Sequence, residues 1–108
     1  MAVLLNQEEI KKRLINTNGW ALVGEAIQKE FSFKGFAEAL RFVNRVGELA
    51  EGMDHHPDMT LHAYKKVKLT LTTHDARTAD GQKASGLTRI DFDLADRIEN
   101  ALRKLDGS

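Results

Sequence analysis

The chain has 108 residues, 42% of them apolar and 30% charged, and its 16 basic side chains balance its 16 acidic ones. That balance excludes a long-range field that would draw the protein onto a phosphate backbone, so nucleic acid is not an expected partner, and the lack of cysteine excludes a disulfide framework or a thiolate zinc site. No apolar run approaches the roughly 20 residues that span a bilayer, and "MAVLLNQEEIKKRL" lacks the basic start and long apolar stretch of a signal peptide, so a cytoplasmic protein folded as one domain over residues 1–108 is expected.

The first helix announces itself at Asn6. Asparagine is a good N-cap, Glu9 stands where it can close a capping box, and Leu5 and Ile10 are spaced for a hydrophobic staple. This helix should run to about Ile15, with "NTNG" as a turn. Trp20 to Val23 and Ala26 to Phe33 are apolar runs broken by Gly24-Glu25, the pattern of an antiparallel hairpin. Next comes "FAEALRFVNRVGELAEGM", in which Phe36, Ala39, Leu40, Val43, Val46 and Ala50 follow helical spacing, widened by Phe42 and Leu49. A third strand is expected from Met59 to Tyr64. A fourth follows from Val67, with Leu69 and Leu71 alternating against Lys68, Thr70 and Thr72, and His74 closes it. Lys65-Lys66 is the expected turn between them. Residues 75–87, "DARTADGQKASGL", read as a long loop, a lid or an insertion. Thr88 then caps a last helix, with Asp91 as its capping-box partner and Leu94, Ala95, Ile98, Ala101, Leu102 and Leu105 as its buried stripe.

The order is α-β-β-α-β-β-α. Strand pairs joined by tight turns pair antiparallel, and a helix between the pairs implies an α+β fold: a four-stranded antiparallel sheet with three helices packed on one face.

The chemistry concentrates in "EGMDHHPDM", residues 51–59, where His55 and His56 stand between acids and before the single proline, Pro57. An imidazole titrates near pH ~6.5 and can give or take a proton at neutral pH. Pro57 biases His56 toward an extended backbone, so the two rings should diverge and meet different partners. His74, at a strand end, is free to face a cleft. Two alternatives stay open: exposed, inert loop histidines, or a metal site using His55, His56, His74 and Glu51. Diverging side chains and the lack of an H-E-x-x-H helix weigh against the metal. His62, mid-strand, reads as a surface or interface residue.

The blocks "FSFKGFAEALRFVNRVGELAEGMDHHPDM", "KKVKLTLTTHD" and "GLTRIDFDLADRIENAL" resemble the pterin-4a-carbinolamine dehydratases, from the Gly-Trp at 19–20 to the final helix. The resemblance implies a lyase that dehydrates 4a-hydroxytetrahydrobiopterin to quinonoid dihydrobiopterin by acid/base chemistry, with no metal or organic cofactor, in tetrahydrobiopterin recycling. It implies a site of Glu51, His55, His56, Pro57, His74 and Asp91. His55, His56 and His74 would be catalytic, with His55 and His74 moving protons. Glu51 and His56 would bind and orient the pterin, with Pro57 and Asp91 also at the substrate. It further implies a homodimer or homotetramer and a link to aromatic amino acid hydroxylases, and, as a rival from another class, a dimerisation module for a transcription factor. Met59 stands where the family usually has an aromatic residue, and the loop after His74 is longer than usual.

Overall fold

The computed structural model of the protein describes residues 2–105, so the extreme ends of the expected 1–108 domain lie outside the described residues. Along the chain these residues form β1 (Ala2–Val3), α1 (Gln7–Ile15), β2 (Ala21–Val23), β3 (Ala26–Ser32), α2 (Phe36–Gly52), β4 (Asp58–His62), β5 (Lys66–Leu71), β6 (Thr73–Arg77), β7 (Lys83–Gly86) and α3 (Arg89–Leu105). Strands β2-β3-β5-β4 make an antiparallel four-stranded sheet, and β1-β6-β7 make a second, three-stranded one. The expected α+β architecture is present, with its three helices in the expected places.

The N-terminal capping signal works as its chemistry dictates. The Asn6 side chain accepts from the Glu9 backbone N–H at 2.9 Å, and Glu9 accepts from the Asn6 N–H at 3.0 Å. Two amides with no intrahelical partner are thereby satisfied. Leu5, Ile10 and Leu14 then lie against the core.

In the larger sheet, Ile27 sits opposite Leu71, and Phe31 opposite Val67, which faces Leu61 on its other side. Ile27, Phe31, Val67, Leu69 and Leu71 are buried under Ala39, Phe42, Val46 and Ala50 of α2 and Phe92, Leu94, Ala95 and Ile98 of α3. Phe42 is the keystone: its ring centroid lies 4.8 Å from that of Phe31 and 5.0 Å from that of Phe33, both tilted, a favoured aromatic geometry. The other sheet face carries Gln28, Glu30, Thr60, His62, Lys66 and Lys68 in register, as period-two alternation requires. Glu99 of α3 accepts from Trp20 Nε1 at 3.0 Å and from Lys29 Nζ at 2.7 Å, tying the last helix to β3.

Five features differ from what the sequence led one to expect. Residues 75–87 are not a loop: they complete the β6–β7 hairpin, closed by hydrogen bonds from the Thr78 N–H to the Gln82 carbonyl and from the Gly81 N–H to the Thr78 carbonyl, both 2.9 Å. Their small polar residues show no alternation, because only Ala76, Gly86 and Leu87 turn inward. His74 does not close the fourth strand of the main sheet. That strand stops at Leu71, and His74 lies in β6 of the second sheet. The segment before Asn6 contributes β1, which runs parallel to β6 with Ala2 opposite Ala76. The turn between β4 and β5 falls at Ala63 and Tyr64, not Lys65-Lys66, and both adopt left-handed φ values of 49° and 53° without the glycine or asparagine that marks such a turn. On α2, the buried stripe centres on Phe42, leaving Phe36 and Leu40 of the expected face 51% and 41% exposed.

Candidate functional site

The end of α2 sets the first part of the site. The His55 N–H bonds back to the Ala50 carbonyl at 3.0 Å and the Asp54 N–H to the Glu51 carbonyl at 3.1 Å. These are the two bonds of a Schellman termination, with Asp54 in its left-handed position at φ 51°. Glycine is the usual residue there, and aspartate is one of the few others that tolerates it. The motif folds the chain back over the helix end, so His55 turns inward while His56 continues outward.

His55 is buried, at 9% exposure, and its Nε2 lies 2.6 Å from Oδ1 of Asp91, which is wholly buried. Asp91 occupies the third position of α3. Its Oδ2 accepts from the Thr88 backbone N–H at 2.9 Å and from the Thr73 hydroxyl at 2.8 Å. The Thr73 and Thr88 hydroxyl oxygens are 2.9 Å apart. A buried carboxylate is tolerated only when its oxygens are satisfied, and the N-terminus of a 17-residue helix adds a favourable dipole. The capping residues of α3, the first residue of β6 and the histidine after α2 are therefore one hydrogen-bonded unit.

His56 stays at the surface, with Nε2 2.8 Å from Oε1 of Glu51. The hydrogen bond to Glu51, assisted by the negative charges of Glu51 and Asp54, raises the His56 pKa above its ordinary 6.5. Pro57 is half-buried and leads into β4. His74 is exposed and follows Thr73 directly, so its Cα lies about 3.8 Å from that of the residue bonded to Asp91. His62 pairs with Glu30 across the polar sheet face at 2.6 Å.

The structure thus joins His55 to Asp91 and His56 to Glu51, and it sets His74 one residue from that network. The two rings of the pair diverge, as Pro57 implied. Asp91, expected at the substrate, is enclosed and bonded on both oxygens. Thr73 and Thr88 are the residues that sequence reasoning missed as parts of the site. Thr88 was legible as a cap. Thr73 gives no signal inside "TLTTHD". Among the described residues, no three His, Asp or Glu side chains converge as a metal-ligand set. A hollow of about 510 Å3, lined by residues that include Leu4, Arg13, Thr88 and Arg89, meets the network at Thr88.

Comparison with known proteins bears on this geometry. The sequence pattern of the family described as "Pterin 4 alpha carbinolamine dehydratase" matches residues 3–101. A relative from Trichormus variabilis, provisionally named a pterin-4-alpha-carbinolamine dehydratase, is 46% identical over 98 residues, covering 91% of this chain and 96% of its own. A solved "transcriptional coactivator/pterin dehydratase" from Brucella melitensis superposes with a TM-score of 0.75 at 33% identity, covering 89% of this chain and 95% of that one. A pterin dehydratase-like protein described as a RuBisCO assembly factor in the alpha-carboxysome shares the fold alone, at a TM-score of 0.59, 24% identity and coverage of 84% of this chain and 93% of that one.

Proposed function

The chain belongs to the pterin 4 alpha carbinolamine dehydratase family, and on that premise we propose that it is a hydro-lyase acting on 4a-hydroxytetrahydrobiopterin. In the reaction, a proton reaches the 4a-hydroxyl, the carbon–oxygen bond breaks and water leaves. The N–H electrons of the ring nitrogen on that carbon form the new C=N bond, and the nitrogen's proton passes to a base. The product is quinonoid dihydrobiopterin. Both transfers need groups that titrate near neutrality, and imidazole is the side chain suited to that. As balanced, the step calls for no metal or organic cofactor.

The observation that carries this reading is His55: a nearly buried imidazole held at 2.6 Å by an enclosed carboxylate, beside an exposed histidine–glutamate pair. His55 and His74 move the protons. His56 and Glu51 bind and orient the pterin, with Pro57 as part of the wall. The upward shift of the His56 pKa, caused first by its hydrogen bond to Glu51, favours the cationic form that donates toward pterin oxygen or nitrogen atoms. Asp91 acts through His55. We place the enzyme in the cytoplasm, recycling tetrahydrobiopterin behind an aromatic amino acid hydroxylase, as a homodimer or homotetramer. The exposed Phe36 and Leu40 on α2 support self-association. Among the described residues no helix is long and apolar enough to cross a membrane.

The test is stopped-flow dehydration of the freshly generated carbinolamine with the wild type, His55→Ala and His74→Ala. The expected result is acceleration by the wild type and a loss of about 10²-fold or more in each variant. Equal, uncatalysed rates in all three would instead favour a protein-binding module.

A further inference from the structure

The hydrogen bonds around Asp91 determine more than the placement of His55. A backbone N–H can only donate, so the Thr88 N–H at 2.9 Å fixes Oδ2 of Asp91 as an acceptor. The Thr73 hydroxyl, at 2.8 Å, donates to the same oxygen. With the Thr73 proton so committed, the 2.9 Å contact between the two hydroxyls runs from Thr88 to Thr73. Two protons of the cluster, those of the Thr88 N–H and the Thr73 hydroxyl, are thus directed at Oδ2 of Asp91, and the Thr88 hydroxyl supports Thr73 from behind. The remaining oxygen, Oδ1, completes the same pattern by accepting from His55 Nε2 across 2.6 Å, at the short end for a nitrogen donor to a carboxylate. Nδ1 of His55 has no partner among the described residues. No buried side-chain nitrogen or oxygen lacks a partner there either, so Nδ1 reaches the surface.

We propose that Asp91, Thr73 and Thr88 are positioning residues that hold His55 as its Nε2–H tautomer, so that Nδ1 is the nitrogen that exchanges a proton with the pterin. Neutral His55 offers a lone pair at Nδ1 as base, and the imidazolium offers an N–H there as acid. Nε2 keeps its proton against Asp91 in both states. The substrate in this assignment rests on the dehydratase reading; the tautomer does not.

The cluster also makes Asp91→Asn informative. The Thr88 N–H cannot reverse, so the new amide must set its oxygen toward Thr88 and its NH2 toward His55. Nε2 then becomes the acceptor and the proton moves to Nδ1, which inverts the nitrogen offered to substrate.

The experiment is long-range 1H–15N NMR of histidine-labelled protein above the His55 titration, together with dehydration kinetics. Wild type should show His55 protonated at Nε2. Asp91→Asn should show it protonated at Nδ1, with kcat down about 10²–10⁴-fold. Thr73→Val keeps the shape and the Thr88 donor, so its tautomer should stay Nε2–H while kcat falls about tenfold for one lost hydrogen bond to a charged acceptor. Thr73→Ser should restore the rate. Wild-type His55 protonated at Nδ1 overturns the proposal. So does an Asp91→Asn protein that retains Nε2–H, one that flips without losing kcat, or a Thr73→Val protein that is less stable but equally fast. A wild type that shows the Nε2–H tautomer but no dehydration defeats the functional reading and leaves the tautomer standing.

Discussion

Replacing Asp54 by glycine should stabilise the protein, and the structure indicates by how much. Asp54 holds φ 51° as the left-handed residue of the α2 termination. Releasing an L-residue from that region recovers roughly 1 kcal/mol. Removing a carboxylate from the negative end of the helix adds about 0.3–0.5 kcal/mol. Glycine's greater freedom in the unfolded chain costs about 0.5–1 kcal/mol. The net gain is about 0.5 kcal/mol, and a 60–100-residue domain moves by about 4–8 °C per kcal/mol, so Tm should rise by about 2–4 °C. The assay is thermal and urea denaturation, with an unchanged urea slope showing that the change lies in stability and not in the compactness of either state. Asp54→Ala is the control. It keeps the Cβ, loses the tolerance of aspartate for this region, and should lower Tm. A fall in Tm for Asp54→Gly, or a rise for Asp54→Ala, would refute the claim that a strained Schellman turn sets the direction of His55.

Glu51→Gln should bring the His56 pKa back toward 6.5 in an NMR titration, because the hydrogen bond to Glu51 is the largest cause of its elevation. The sign for stability follows from that elevation. The pairing of His56 with Glu51 contributes fully below the unfolded value of 6.5 and is lost as pH rises through the raised folded value, so the difference between wild type and variant should shrink over that window. Phe42→Ala should cost about 3–5 kcal/mol by urea denaturation, because the ring is wholly buried between Phe31 and Phe33; a loss under 1 kcal/mol would contradict its place at the core. Tyr64→Gly should raise Tm, since Tyr64 is 60% exposed and its left-handed φ is relieved at little loss of burial.

How much of this was legible in the sequence depends on where each signal came from. Local signals transferred well. The Asn6–Glu9 box, the helices and the β2–β3 hairpin depend on neighbours a few residues away, and the structure has them within one or two residues of their expected limits. The helical face was harder, because spacing locates a stripe but not the side of it that meets the sheet; Phe36 and Leu40 lie on its outer margin. The β6–β7 hairpin was invisible because no alternation appears in "THDARTADGQKASG", and the β1 strand that flanks it comes from more than 70 residues away. The Ala63–Tyr64 turn was hidden by the absence of glycine. In the site, the divergence of His55 and His56 could be argued from Pro57 alone. That Asp91 is enclosed, and that Thr73 joins it, could not, because both facts depend on β6 meeting the first turn of α3 across 18 residues of chain.

The central claim is that the nitrogen of His55 turned away from Asp91, the His56–Glu51 pair and His74 face one pterin. A crystal structure of the protein soaked with a stable pterin such as 7,8-dihydrobiopterin tests it directly. The expected density lies against Nδ1 of His55 and within hydrogen-bond reach of His56 and His74, with Asp91 still enclosed. A pterin seated instead in the hollow lined by Leu4, Arg13 and Arg89, or a His74 ring turned away from the bound molecule, would contradict the account.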